Sequence, residues 1–461
     1  MLAKSVRKST DVDMTEGNII RHLISFAIPL LIGNLFQMMY NMVDTWVVGH
    51  FVSDAAFSAV GTLGSVTNLM IGFFMGLTSG AGVVISRFFG AKQYDRVKSA
   101  VNTAVIMTGV LCIAFTALGL SLIPVFLKIL DMPSDVRAEA VTYLSIWFSG
   151  ISGLMIYNMG SAIMRAVGDS RRPFNYLVVA AVTNTVLDLL FVLVFKWGVA
   201  GVAIATITAQ GLSAALTVIS LCRTDSCVKI SFKGMRAEKD LLREIVKIGF
   251  PAAFQMAITS FSNIFVQSYI NYFGKACMGG WTAYTKIDQI VLLPMQSLAL
   301  ASTTFVGQNI GQNQVKRAEK GANTALLISF AATAALIIPV VIFSGFFVSI
   351  FNTNPEIISY GTLFLRWLTP FYMFWCVNQI YAGALRGVGN SVAPMAIMLF
   401  SFVLFRQTYL FVVSRFISNT ILPIAMGFPA GWALSAAITF IYYKVVGLKP
   451  RNLKNQSAEN V

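Results

Sequence analysis

Residues 88–104 read FFGAKQYDRVKSAVNTA, and residues 309–325 read NIGQNQVKRAEKGANTA. Aligned without a gap at an offset of 221, 6 of the 17 positions are identical. A second pair keeps the same offset: RAVGDSRRP at 165–173 and RGVGNSVAP at 386–394 share 5 of 9 positions. Two separated matches at one offset are the mark of a tandem duplication. All four segments lie between long apolar runs, so the repeat and the hydropathy pattern together decide the fold class.

About 20 apolar residues cross a bilayer as a helix. Between charged or Gly/Pro/Asn-rich breaks, twelve such runs stand near 22–49, 56–85, 98–124, 137–163, 173–195, 199–221, 244–271, 278–306, 320–347, 357–384, 394–418 and 426–446. The 461 residues are 56% hydrophobic and 11% charged, against about 25% charged in soluble domains. The expected fold is an all-α membrane protein: twelve transmembrane helices in two six-helix bundles. The bundles should be related by a pseudo-two-fold axis along the membrane normal, with a cleft between them. The domains expected are an N-terminal bundle over 1–221, a cytoplasmic linker over 222–243, and a C-terminal bundle with its tail over 244–461. Pro29, Pro251, Pro294 and Pro370 fall inside runs, where kinks are expected.

The net charge is +15, but it is carried by short loops rather than by a basic face with interleaved aromatics, so nucleic acid is not an expected partner. The tails and alternate loops hold 26 of the 34 Lys and Arg; the opposite side holds Lys128, Arg137, Lys196, Lys275 and Arg415. This asymmetry orients both termini to the cytoplasm. The charged first twenty residues do not read as a signal peptide. The five cysteines are expected to form no structural disulfide in a reducing compartment. Two histidines far from them give no zinc spacing, and the absence of a triad or phosphate loop argues against an enzyme. Since the duplication supplies both halves, a monomer suffices.

Of 19 Asp and Glu, only Asp44, Asp188 and Asp288 fall inside spans away from their first few residues. An ionisable group at mid-helix costs roughly 2.5–3.5 kcal/mol on insertion scales, so it usually has a partner or a task. Asn184 lies four residues before Asp188, on the same helical face. Counting at 1.5 Å per residue, Asp44 lies about 9 Å below His50, Asp188 about 12 Å below Lys196, and Thr206 about 12 Å below Gly198. Spans 1, 5 and 6 therefore bring two carboxylates, an amide and a hydroxyl to one depth. Such a set suits Na+ or another hard monovalent cation, or a pair of acids that shares protons. At the 221 offset Asp44, Asn184 and Asp188 meet Phe265, Phe405 and Tyr409, so the site belongs to the first half. Asp288 and Arg406 are expected to form an ion pair, as a tether or a substrate contact. Tyr40 and Met38, beside the Asp44 motif, are candidates for a substrate cleft, because polarizable side chains suit varied apolar ligands.

The twelve spans in two copies, Asp44 in YNMVDTWVVG, the Asn184-to-Asp188 spacing and Thr206 resemble the multidrug and toxic compound extrusion (MATE) transporters, over about residues 20–446. The pattern is most similar to the DinF-like and related bacterial branches. The resemblance implies a cation-coupled antiporter of the bacterial inner membrane that exchanges H+ or Na+ for organic cations and amphipathic drugs. It implies no cofactor beyond the coupling ion. Carried over residue by residue, Asp44, Asn184, Asp188 and Thr206 form the ion-coupling site and Pro29 the bend point of the first helix. Span 7 lacks the carboxylate of the NorM-like branch. The alternative within the same superfamily is a flippase for lipid-linked saccharides, for which more Arg and often more spans are expected.

Overall fold

The computed structural model describes residues 11–52, 54–130, 132–134 and 136–448. Among these the chain is helical throughout, with no strand. The first half runs α1 (Ile19–Phe51), α2 (Asp54–Gly90), α3 (Tyr94–Ile129), α4 (Arg137–Ala166), α5 (Arg171–Leu189) and α6 (Gly198–Arg223). The second runs α7 (Lys239–Asn271), α8 (Gly274–Gly311), α9 (Val315–Ile342), the short α10 (Ser344–Ser349), α11 (Pro355–Leu368), α12 (Tyr372–Gly387), α13 (Val392–Met398), α14 (Arg406–Val412), α15 (Ile421–Ala425) and α16 (Gly427–Val446).

Among the described residues ten helices are long and apolar enough to cross a membrane. The remaining two expected spans are also helical. One is α7, whose 33 residues begin with the polar stretch KDLLRE. The other is divided: Thr369–Phe371 form a single 3-10 turn around Pro370, separating α11 from α12. Pro370 lacks the amide hydrogen that would continue the helix. By contrast α1, α7 and α8 run unbroken through Pro29, Pro251 and Pro294.

The duplication is written in the backbone. The second and eighth helices end at Gly90 and Gly311, and α5 and α13 begin at Arg171 and Val392, each pair 221 apart. Lys92 and Asn313 both take φ of 58°, and Gly168 and Gly389 take 83° and 87°. Left-handed backbone is rare for a residue with a Cβ, so its recurrence at Lys92 and Asn313 marks one inherited turn. The hydrogen bonds repeat too: Gln93 N donates to Phe88 O (3.0 Å) and Gln314 N to Asn309 O (2.9 Å). Asp169 Oδ1 accepts from Arg172 N (3.1 Å) where Asn390 Oδ1 accepts from Ala393 N (3.3 Å).

Contacts divide the chain into two units. One holds the residues up to Glu16 together with Ile32–Gly249; the other holds Gly17–Leu31 and the chain from Phe250 onward. The linker at 222–243 packs into the first unit, where Val228, Ile230 and Leu241 join a core with Val84, Ile163 and Leu221. Ion pairs of Arg87 with Glu244 (2.7 Å) and Arg96 with Glu238 (3.0 Å) hold its end and the start of α7 there. Small residues let helices cross closely, as they do in membranes generally: a Cβ on Gly80 would stand 2.4 Å from Ile245 O. In the same unit Val12 N donates to Val167 O at 2.8 Å.

The second unit has an aromatic core: Trp281, Tyr284, Phe364, Tyr372, Phe402, Phe428 and Trp432 pack together. Helices α5 and α14 are widened by π-helical turns, at Leu190–Val194 after α5 and at Leu399–Phe405 and Val413–Ile417 on either side of α14.

Candidate functional site

In the first unit α1 and α5 bring two acids together. The carboxyls of Asp44 and Asp188 lie within hydrogen-bonding reach of each other. Asp188 is fully buried and Asn184, one turn earlier on α5, is 2% exposed. Neither Asp188 oxygen has a hydrogen-bond donor, nor does Asp44 Oδ1, and both polar atoms of Asn184 are without a partner. Most buried polar side chains find partners, so four orphaned oxygens and an orphaned amide nitrogen in one place are exceptional. Thr206 Oγ1 donates to Val202 O (2.9 Å) and keeps lone pairs free to accept.

The chemistry of this set is acceptor-rich. Two bare carboxylates repel each other in a low-dielectric interior, and the contact is favourable only with a proton or a cation between them. Carboxylate, amide and hydroxyl oxygens are the donors that hard cations take, so the residues present fit a hard monovalent cation as well as a shared proton. A valine layer closes the pair on the His50 side: Val47 and Val48 of α1, Val192 of the π turn, and Val199 and Val202 of α6 pack together, with Tyr143 and Leu189 against them. Asp188 lies two residues before that π turn, a distortion that recurs at functional sites.

Two tyrosines complete the surroundings. Tyr40 and Tyr143 both lie within electrostatic range of Asp44 and Asp188. Tyr40 was expected from its place in the α1 motif. Tyr143 was not: near the start of α4 it resembles an interfacial aromatic, and nothing in its spacing signals the acids. Met38 is half-buried and lies two residues, or about 200° of helical turn, from Tyr40, so α1 directs it elsewhere. Pro29 lies on α1, two residues before the contact boundary at Leu31.

The expected Asp288–Arg406 ion pair is not formed. Among the described residues the ion pairs are Arg87–Glu244, Arg96–Glu238 and Arg172–Asp169. Asp288 instead accepts from the Tyr372 hydroxyl, which in turn contacts the Tyr284 hydroxyl at 3.0 Å. Arg406 Nη2 donates to Ser262 Oγ (2.5 Å) and Asn263 Oδ1 (3.1 Å). The physical reason is that neutral hydroxyls and amides on neighbouring helices reach each charge first.

A duplicated helical membrane bundle with a donor-starved acid pair inside its first half is an architecture suited to a membrane transporter. The chain belongs to the MatE family, whose model matches residues 29–190 and 251–409. It is 28% identical over 433 residues to the probable multidrug resistance protein YpnP of Bacillus subtilis, covering 94% of this chain and 96% of that one. It is 26% identical to the probable multidrug resistance protein NorM of Thermotoga maritima, covering 92% of each. In fold it matches an outward-facing multidrug resistance MATE family transporter with TM-score 0.89 at 21% identity, over 95% of this chain and 98% of that one.

Proposed function

We propose that the chain is a cation-coupled antiporter that exports organic cations and amphipathic drugs by alternating access. The observation that carries the reading is the contact between Asp44 and Asp188, in which neither Asp188 oxygen nor Asp44 Oδ1 has a donor. The coupling ion, H+ or Na+, sits between these carboxyls, with Asn184 and Thr206 as further oxygen ligands. Ion binding favours one shape of the first half and drug binding favours the other; each ligand drives the exchange through its differential affinity for the two shapes. Pro29, where α1 lacks one backbone hydrogen bond, is the bend point of that change. The relatives named for multidrug resistance support the drug substrates. Tyr40 offers a polarizable face beside the acids for a cationic ligand. The protein works as a monomer in a bacterial cytoplasmic membrane, with both termini in the cytoplasm, consistent with the positive charge of its tails.

The test is ethidium retention in energised, pump-deficient cells that carry vector, the wild-type chain or Asp188→Asn at equal expression. Lower retention with the wild type and vector-like retention with the variant is the expected result. Equal export by both proteins would show that the acids serve the structure alone.

A further inference from the structure

The second half carries no acid pair at the corresponding depth. It carries a cation. Arg406 lies 221 residues after Thr185, the neighbour of Asn184 on α5, while Ser262 and Asn263 lie 221 after Asn41 and Met42, within a turn of Asp44 on α1. The tie between the first and fifth spans of a half therefore recurs at one place in both copies, with its chemistry reversed. In the first copy acceptors face each other across the two spans. In the second, a guanidinium on α14 reaches acceptors on α7.

Arg406 is 2% exposed. Its Nη2 is shared between Ser262 Oγ and Asn263 Oδ1, and its guanidinium carbon lies 4.7 Å from the Phe428 ring centre and 5.5 Å from that of Phe402. No carboxylate is ion-paired with it among the described residues. Hydroxyl oxygen, amide oxygen and ring faces are what a protein uses to hold a cation without a counter-charge. A buried guanidinium without a carboxylate is costly in a membrane interior, and such groups are kept for a task. Asp288, the acid expected to be its counter-ion, is instead bonded to Tyr372 and forms no ion pair with it. Tyr409, at the position of Asp188, donates to Pro423 O at 3.1 Å.

We propose that the Arg406 guanidinium is a resident cation. It takes, in the second half, the place that the exchangeable cation takes in the first, and holds α7 to α14 in the ion-loaded arrangement at all times. Coupling then belongs to the first half, through one site. The comparison rests on reading Asp44 and Asp188 as a cation site, but its test does not.

The full chain is purified with Arg406→Ala, Arg406→Met or Arg406→Lys, and its thermal unfolding is followed in a constant sodium background with and without about 10 mM guanidinium chloride, far below denaturing concentrations. Removing the side chain to Ala leaves a cation-shaped vacancy, so guanidinium should raise the midpoint of the Ala variant by about 3 °C or more. The wild type and the Met variant should not move, and Lys should be more stable than Met. A purely packing role predicts no guanidinium effect, and that result overturns the proposal. So does a Met variant as stable as the Lys variant, a comparison that also decides the matter if the Ala variant does not fold. Repeating the measurement in an Asp188→Asn background separates the two readings. Rescue must persist there; rescue that disappears places the guanidinium in the first half and removes Arg406 from the argument.

Discussion

The two halves share a backbone and differ in how their buried charges are partnered. In the first, Asp44 Oδ1, both oxygens of Asp188 and the whole amide of Asn184 lack partners. In the second, Asp288 accepts from Tyr372, and Arg406 is spread over Ser262, Asn263 and two aromatic rings. The turns of both halves, at 92 and 313 and at 168 and 389, keep the same dihedral angles. Duplicated frames therefore say little about duplicated chemistry. A satisfied buried charge fixes a structure, whereas an unsatisfied one waits for something to arrive.

Several substitutions bear on that contrast. The largest effect is expected from Asp188→Asn, which should lower the initial rate of ion-driven efflux in everted vesicles about 100-fold, within the usual range of a coupling free energy. Asp288→Asn should leave the ion dependence of that rate in place. If it abolished the ion dependence too, the contrast between the halves would be gone. Next comes Gly168→Ala. A Cβ there would stand 2.4 Å from the Val12 carbonyl on a backbone with φ of +83°, and the chain should lose about 2–3 kcal/mol of stability, seen in thermal unfolding. Gly389→Ala shares the positive φ and should cost at least about 1 kcal/mol in the same measurement. Tyr372→Phe deprives Asp288 of its donor and should destabilise the chain by about 1–2 kcal/mol without changing ion dependence. The smallest effect is expected at Thr206→Val, which removes one oxygen of the first-half set. It should weaken the half-saturating ion concentration about threefold to tenfold, near the ~1 kcal/mol of one hydrogen-bonding group, and leave the unfolding temperature in place.

The fold was legible because its two signals are long-ranged: apolar runs of membrane length, and motif matches at a constant offset. The acid pair was legible because depth along a helix follows from residue count, which put Asp44 and Asp188 at similar depths without knowledge of packing. Depth alone does not say which faces meet, and there the sequence misleads. Arg406 and Asp288 are the buried-looking opposite charges of the second half, yet Tyr372, 84 residues from Asp288, is the group that reaches the acid. Tyr143 was missed for the same reason, since it stands on α4, a different helix from either acid. The π turns beside Asp188 and Arg406 leave no pattern in apolar runs such as LFVLV or LFSFVLF. The left-handed residues Lys92 and Asn313 carry no glycine to announce them. The basic loop at 222–243 is charged enough to read as a free linker, but Val228, Ile230 and Leu241 give it an apolar side that folds into the first-half core.

The matched turns at Lys92 and Asn313, and at Gly168 and Gly389, have a consequence for how such a molecule changes over time. Two halves on one polypeptide are made in a fixed one-to-one ratio, like a heterodimer whose subunits cannot be exchanged or mixed. A homodimer that lost an acid would lose it from both subunits at once. Fusion lets one side drop its ionisable pair while the other keeps it. The conserved corners then mark what both sides still need in order to fold, and the divergent middles mark where division of labour was allowed to begin.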